Sequence, residues 1–96
     1  MNQNGSEISS LFYLQQNYPN PFNPSTNIKY QITNNCYVIM KVYDILGKEL
    51  KTLVNEKLQA GTYNATFDGS KFQSGVFFYK LSTGDYTQTK KMLMIK

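Results

Sequence analysis

The chain has 96 residues and a formal charge of +4, with ten Lys, no Arg and no His. This length supports one small domain with a modest core. The missing Arg and the scattered lysines, adjacent only at Lys90-Lys91, argue against a nucleic-acid face, and the missing His removes the usual general base and the commonest metal ligand.

Eight Tyr and six Phe make a strand-rich palette, too apolar for disorder. The single cysteine, Cys36, cannot form an intramolecular disulfide and reads as a small buried hydrophobe, with no His to activate its thiol. No secretory signal is visible in "MNQNGSEISS", and no apolar run approaches the length of a membrane helix. The chain reads as a cytosolic protein or as a piece of a longer one.

Residues 1–10 are polar and rich in Gly, Ser and Asn, and are expected to be a flexible linker. The stretch "NYPNPFNPST" follows, with Pro19, Pro21 and Pro24 in six positions. Proline fixes φ, removes an amide donor and extends the residue before it. The stretch is therefore expected to be a stiff strap that covers a sheet edge or an open end, with Tyr18 and Phe22 anchoring it in the core. A recognition peptide is the rival, since "PFNP" has the P-x-x-P spacing.

Period-two alternation then takes over. Thr26, Ile28, Tyr30 and Ile32 share one face of a half-buried strand. In "CYVIMKVYD", Cys36, Val38, Met40 and Val42 form the inner face of the next. "DILG" reads as a hairpin turn, with Gly47 at a positive φ and Asp44 bonding back to the turn amides. "KELKTLVNE" is expected to be the return strand, with Leu50 and Val54 on one face and a bulge or strand end at Leu53. A helix over 48–59 is the rival, because Leu50, Leu53, Val54 and Leu58 also fit a 3.6 period. Tyr63, Ala65 and Phe67 share a face of the fifth segment, and Phe77, Tyr79 and Leu81 a face of the sixth. The last segment, "YTQTKKMLMIK", is apolar on both sides: Met92 and Met94 on one, Leu93 and Ile95 on the other. About seven strands with turns between them indicate an all-β antiparallel sandwich or barrel. The expected core includes Ile28, Tyr30, Val38, Met40, Val42, Tyr63, Phe67, Phe77, Tyr79 and Leu81.

No catalytic constellation can be assembled. The carboxylates Asp44, Asp68 and Asp85 sit beside glycine turns, where capping of backbone amides is their ordinary role. No phosphate-binding glycine loop and no D-x-D-x-D calcium pattern is present, so no cofactor or metal is expected. Two N-glycosylation sequons, at Asn4–Ser6 and Asn64–Thr66, are weak signals.

Four motifs in order now carry a resemblance: "LQQNYPNPFNPSTNIKYQI", "VIMKVYDILGKELKTLVNE", "AGTYNATFDGSKFQSGVFFYKL" and "TKKMLMIK". Together they resemble the type A C-terminal sorting domain of type IX secretion cargo, from Leu11 to Lys96. Onto that pattern fall Asn17, Tyr18, Pro19, Asn20, Pro21, Phe22, Asn23, Pro24, Asp44, Gly47, Gly61, Tyr63, Gly75 and Tyr79, mainly structural residues. The chain departs at Phe77, where the family usually has Tyr, so a buried hydroxyl bond would be missing there. The asparagine–proline opening and the hairpin are also similar to the immunoglobulin-like domain of flagellar hook-capping proteins.

The resemblance implies an immunoglobulin-like sandwich acting as a non-catalytic address label in Bacteroidetes-like bacteria. Residues 1–10 would be the linker remnant of an N-terminal cargo and 11–96 the sorting domain. The cargo's own signal would lie upstream. Such domains cross the inner membrane with their cargo, fold in the periplasm, and are recognised by the outer-membrane translocon. A sortase cuts in the linker and attaches the cargo to an anionic lipopolysaccharide at the cell surface, or releases it. The translocon would read the terminal residues Lys90, Lys91, Met92, Leu93, Met94, Ile95 and Lys96, with Leu93 and Ile95 on an apolar outer face framed by Lys90, Lys91 and Lys96. The other readings are a surface adhesive or carbohydrate-binding module, with Tyr37 and Tyr43 as candidates, and a structural domain of a hook-cap assembly. No nucleic-acid partner and no membrane span is expected.

Overall fold

Alternation of apolar and polar side chains organises the fold. The computed structural model describes residues 12–84 and 86–96, which form seven strands and no helix. They are β1 (Phe12–Leu14), β2 (Ser25–Ile32), β3 (Cys36–Asp44), β4 (Glu49–Leu58), β5 (Gly61–Asp68), β6 (Gly75–Thr83) and β7 (Tyr86–Met94). The linker expected over residues 1–10, the sequon at Asn4, Leu11 and the turn role of Asp85 lie outside the described residues.

Two antiparallel sheets face each other, one in the order β1-β2-β5 and one in the order β4-β3-β6-β7. The result is a seven-stranded immunoglobulin-like sandwich. In β2 the expected face of Thr26, Ile28, Tyr30 and Ile32 is buried, and Asn27, Lys29 and Gln31 face water. Val38, Met40 and Val42 of β3 and Phe77, Tyr79 and Leu81 of β6 meet that face from the other sheet. Phe67 sits among the rings of Phe22, Phe72 and Phe77, with centroids 5.9–6.0 Å away. Edge-on and offset ring contacts of this kind add to the burial they accompany. Tyr63 is the one expected core residue at the rim. It is half-buried, stacks on Tyr30 at 5.6 Å, and its hydroxyl donates to the Gln59 carbonyl at 2.6 Å.

β4 is a strand, and its helix-like spacing has a physical cause. Met40 pairs with Val54 and Lys41 with Thr52, so Leu53 is the extra residue of a bulge, as its broken alternation implied. Val42 pairs with Lys51 and Tyr43 with Glu49, which makes Leu50 a second extra residue. Each bulge resets the pleat. Leu50, Leu53, Val54 and Leu58 can therefore all pack on the core from an edge strand.

The β3–β4 turn is closed by Asp44. Its carboxylate accepts the N–H groups of Leu46 and Lys48, each at 2.9 Å, and its carbonyl accepts the Gly47 N–H at 3.0 Å. Gly47 takes φ +87°, where a side chain would be strained. Asp68 starts the β5–β6 loop in a similar way. Its hydrogen bonds from Ser70 hold its carboxyl below the ordinary carboxylate range.

Candidate functional site: the proline strap and the terminal strand

Residues directly opposite each other in an antiparallel pair project to the same face. Tyr18 bridges to Asn27, donating to its carbonyl at 2.9 Å and accepting from its N–H at 3.0 Å. Asn27 lies on the water-facing side of β2, so Tyr18 is carried outward and is 80% exposed. This register overturns the expectation that Tyr18 anchors the core. Its neighbour Asn17 points inward instead and is 2% exposed.

A buried amide must find partners, and the fold supplies them. The Asn17 side-chain amide donates to the Pro19 carbonyl and the Thr26 hydroxyl, both at 3.0 Å, and its oxygen accepts from the Gln16 side chain at 2.6 Å. Thr26 in turn donates to the Pro19 carbonyl at 2.8 Å. The Asn17 backbone N–H donates to the Tyr79 hydroxyl at 2.9 Å, and that hydroxyl donates to the Gln15 carbonyl at 2.6 Å. Burial pushes the Tyr79 hydroxyl up to about 12, despite the opposing bond from Asn17. The entry to the strap is thus locked to the centre of β6.

Further along, the strap meets β7. Phe22 is 2% exposed, as expected of an anchor. Its N–H donates to the Leu93 carbonyl at 2.9 Å, and its carbonyl accepts the Ile95 N–H at 3.0 Å. The Asn20 side chain accepts the Leu93 N–H at 3.0 Å, and the Gln16 amide donates to the Lys91 carbonyl at 2.7 Å. The strap therefore covers the free edge of β7 from Lys91 to Ile95, the edge-covering role expected for it. Pro19, Pro21 and Asn23 line its exposed side, while the Pro24 carbonyl accepts the Gly69 N–H at 2.8 Å.

The terminal residues divide by face. Met92 and Met94 are buried, and Gly69 packs so closely that an added Cβ would lie 2.6 Å from the Met94 sulfur. Leu93 and Ile95 remain 37% and 53% exposed. Register puts Leu93 beside Val76 and Lys91 beside Phe78 on the outer side of the sheet. The expected rim of three lysines is corrected. Lys90 pairs with Tyr79 and shares its inward parity. The Lys96 ammonium is bound to the Ser70 carbonyl at 2.9 Å and to the Phe72 carbonyl, and its backbone N–H donates to Ser74 at 2.9 Å. Lys91 alone of the three stands beside Leu93 on the outer side.

Of the remaining motif residues, Asp44 and Gly47 build the β3–β4 turn, Gly61 and Gly75 open β5 and β6, and Tyr63 sits at the rim. Phe77 is buried against the Phe67 and Phe72 rings. Gln16 and Gly69 are structurally engaged but carried no signal in the sequence: an amide beside another amide and a turn glycine look alike wherever they occur. Among the described residues no helix is long and apolar enough to cross a membrane.

The fold is thus an immunoglobulin-like sandwich whose proline-rich entry is stitched to β7. Residues 16–96 match the model of the secretion system C-terminal sorting domain, and the chain belongs to that family, which serves type IX secretion. Among solved structures, the dimeric latent PorU of Porphyromonas gingivalis is similar, with a TM-score of 0.66 and 17% identity over 88% of this chain. This chain spans 9% of that one, and at such identity the likeness is one of fold. Comparison with curated proteins gave no match. Family membership gives the domain a secretion-signal role, with the cell surface or the medium as destination.

Proposed function

We propose that residues 11–96 are a non-catalytic signal that carries an N-terminal cargo across the periplasm to the outer-membrane type IX translocon, with sortase processing in the linker of residues 1–10. The docking element is the outer side of β7 and the residues after it. The observation that carries this reading is the unequal treatment of the terminal strand. Its backbone edge is sealed by the strap, and its inward methionines are buried, yet Leu93 and Ile95 stay in water. Val76 and Phe78 extend that apolar surface across β6, and Lys91 borders it. Exposed apolar surface beside charge is the usual form of a docking site.

The test is a periplasmic reporter fused to this chain in a host with the secretion system. Leu93→Ser with Ile95→Ser is expected to strand the reporter in the periplasm. Circular dichroism and protease resistance of the purified variant should match the parent. Thr87→Ser with Thr89→Ser, farther along the same face, is expected to leave delivery intact. Normal surface delivery of the Leu93/Ile95 variant would refute the assignment.

A further inference from the structure

We infer that the domain carries a carbohydrate site on the outer side of its three-stranded sheet, built around Tyr18 and selective for acidic oligosaccharides. This is an activity separate from export and does not depend on that reading. The site is a cleft of about 720 Å³ lined by Gln15, Gln16, Tyr18, Asn27, Lys29 and Asn64. One aromatic ring, four side-chain amides and one ammonium make up the lining. No aliphatic side chain is among them to hold a lipid, and no carboxylate to hold a cation. Amides donate and accept at once, as sugar hydroxyls do, although the Gln16 amino group is already bound to Asn17 and Lys91 and leaves only its oxygen for a ligand.

The backbone that carries the ring is held in place. Two backbone hydrogen bonds to Asn27, at 2.9 and 3.0 Å, fix the Tyr18 main chain while its side chain stands 80% exposed. A tyrosine held this way offers a flat apolar face and a polar tip at small entropic cost, which suits the C–H face of a pyranose. The amides are also oriented. The Asn27 oxygen accepts from Thr66 at 2.9 Å and from Asn64 at 3.3 Å, which leaves the Asn27 amino group and the Asn64 oxygen for a ligand. Lys29 forms no ion pair among the described residues, where the pair found is Lys41–Glu49. Its ammonium is therefore free to meet a uronate, sulfate or phosphate.

A second exposed tyrosine stands farther along the same sheet, beyond the cleft. Tyr13, 53% exposed, pairs with Gln31, four residues along β2 from Asn27. At about 3.3 Å per residue the two tyrosines stand roughly 13 Å apart, a span for an oligosaccharide and too long for one sugar. Of the tyrosines singled out in the sequence, Tyr37 is as exposed as Tyr13 but lies on the other sheet, and both it and Tyr43 have polar neighbours on the protein. Tyr37 donates to Asn55 at 2.6 Å, and Tyr43 lies beneath the Lys80 ammonium at 5.3 Å.

The experiment titrates the 15N-labelled chain with hexagalacturonate and with maltohexaose. Hexagalacturonate is expected to bind saturably, with amide shifts at Tyr18, Asn27, Lys29 and Asn64, and more tightly than maltohexaose. Tyr18→Ala is expected to weaken binding by about tenfold or more and Tyr18→Phe to retain most of it. Lys29→Gln is expected to abolish the preference for the acidic sugar while weak maltohexaose binding persists. Saturable binding of neither sugar, shifts confined to another face, or equal affinity for both would overturn the proposal. So would an acidic peptide, hexaglutamate, that binds as well as hexagalacturonate and ignores Tyr18→Ala, because charge alone would then explain the site.

Discussion

Replacing Tyr79 by phenylalanine removes one oxygen from the middle of the network that holds the strap. That oxygen accepts the Asn17 N–H at 2.9 Å and donates to the Gln15 carbonyl at 2.6 Å. Tyr79 is fully buried and Asn17 nearly so, so water cannot take its place. A buried N–H left unpaired costs about 1–3 kcal/mol, while the Gln15 carbonyl, on an exposed residue, can be rehydrated cheaply. Tyr79→Phe is therefore expected to lose about 2–3 kcal/mol, a fall in Tm of roughly 10–20 °C for a domain of this size. Urea unfolding followed by circular dichroism is the assay, read as a lower midpoint at unchanged slope. The alkaline limb gives a second signature. Tyr79 titrates at about 12 in the folded chain, against 10.0 when free. With the folded value raised, its contribution is complete below about pH 10 and is lost as pH rises toward 12, at about 1.4 kcal/mol per pH unit. Tyr30, raised by burial and then by Glu56, adds in the same direction. Tyr79→Phe removes the first contribution and keeps the second, so the variant's stability falls less steeply above pH 10. A variant within about 0.5 kcal/mol of the parent, or one with the same alkaline slope, would refute the account.

Phe22→Ala is expected to cost about 3–5 kcal/mol by chemical denaturation, because the buried ring is the strap's only apolar anchor once Tyr18 points outward. Met40→Ala, at the centre of β3, is expected to cost about 2–5 kcal/mol, and an unchanged urea midpoint would contradict the inner-face assignment. Gly69→Ala is expected to cost about 1–3 kcal/mol by overpacking against the Met94 sulfur, and combining it with Met94→Ala, which vacates that space, should give a smaller loss than the two single changes added together.

The alternating strands were legible because burial on one face leaves a period-two record. β2 and β3 carry that record cleanly, and their inner faces follow residue for residue. β4 was legible only in part. Its two bulges shift the parity twice, and the resulting spacing of Leu50, Leu53, Val54 and Leu58 imitates a helical turn. The orientation of Tyr18 was hidden for another reason. Proline stiffens the segment but does not say which neighbour faces in, and a register with Asn27, nine positions later, decides it. Lys96 shows the same limit. A terminal lysine looks like a solvated charge until the β5–β6 loop turns two carbonyls toward it.

The strap and the tail lie far apart in the sequence, yet they form one structural element. Each covers what the other leaves open: the strap supplies donors and acceptors to the edge of β7, and β7 supplies the backbone groups that hold the Phe22 main chain. Removing Met92 to Lys96 would therefore do two things at once. It would delete two buried methionines from the core and leave the strap without its partner, so lost export after truncation cannot distinguish a missing signal from a missing fold. The information a translocon could read must be sought in groups whose loss leaves the core whole. On this strand that restricts the search to the outward side chains, chiefly Leu93 and Ile95, because the inward ones belong to the fold and the backbone between them is already bonded to the strap.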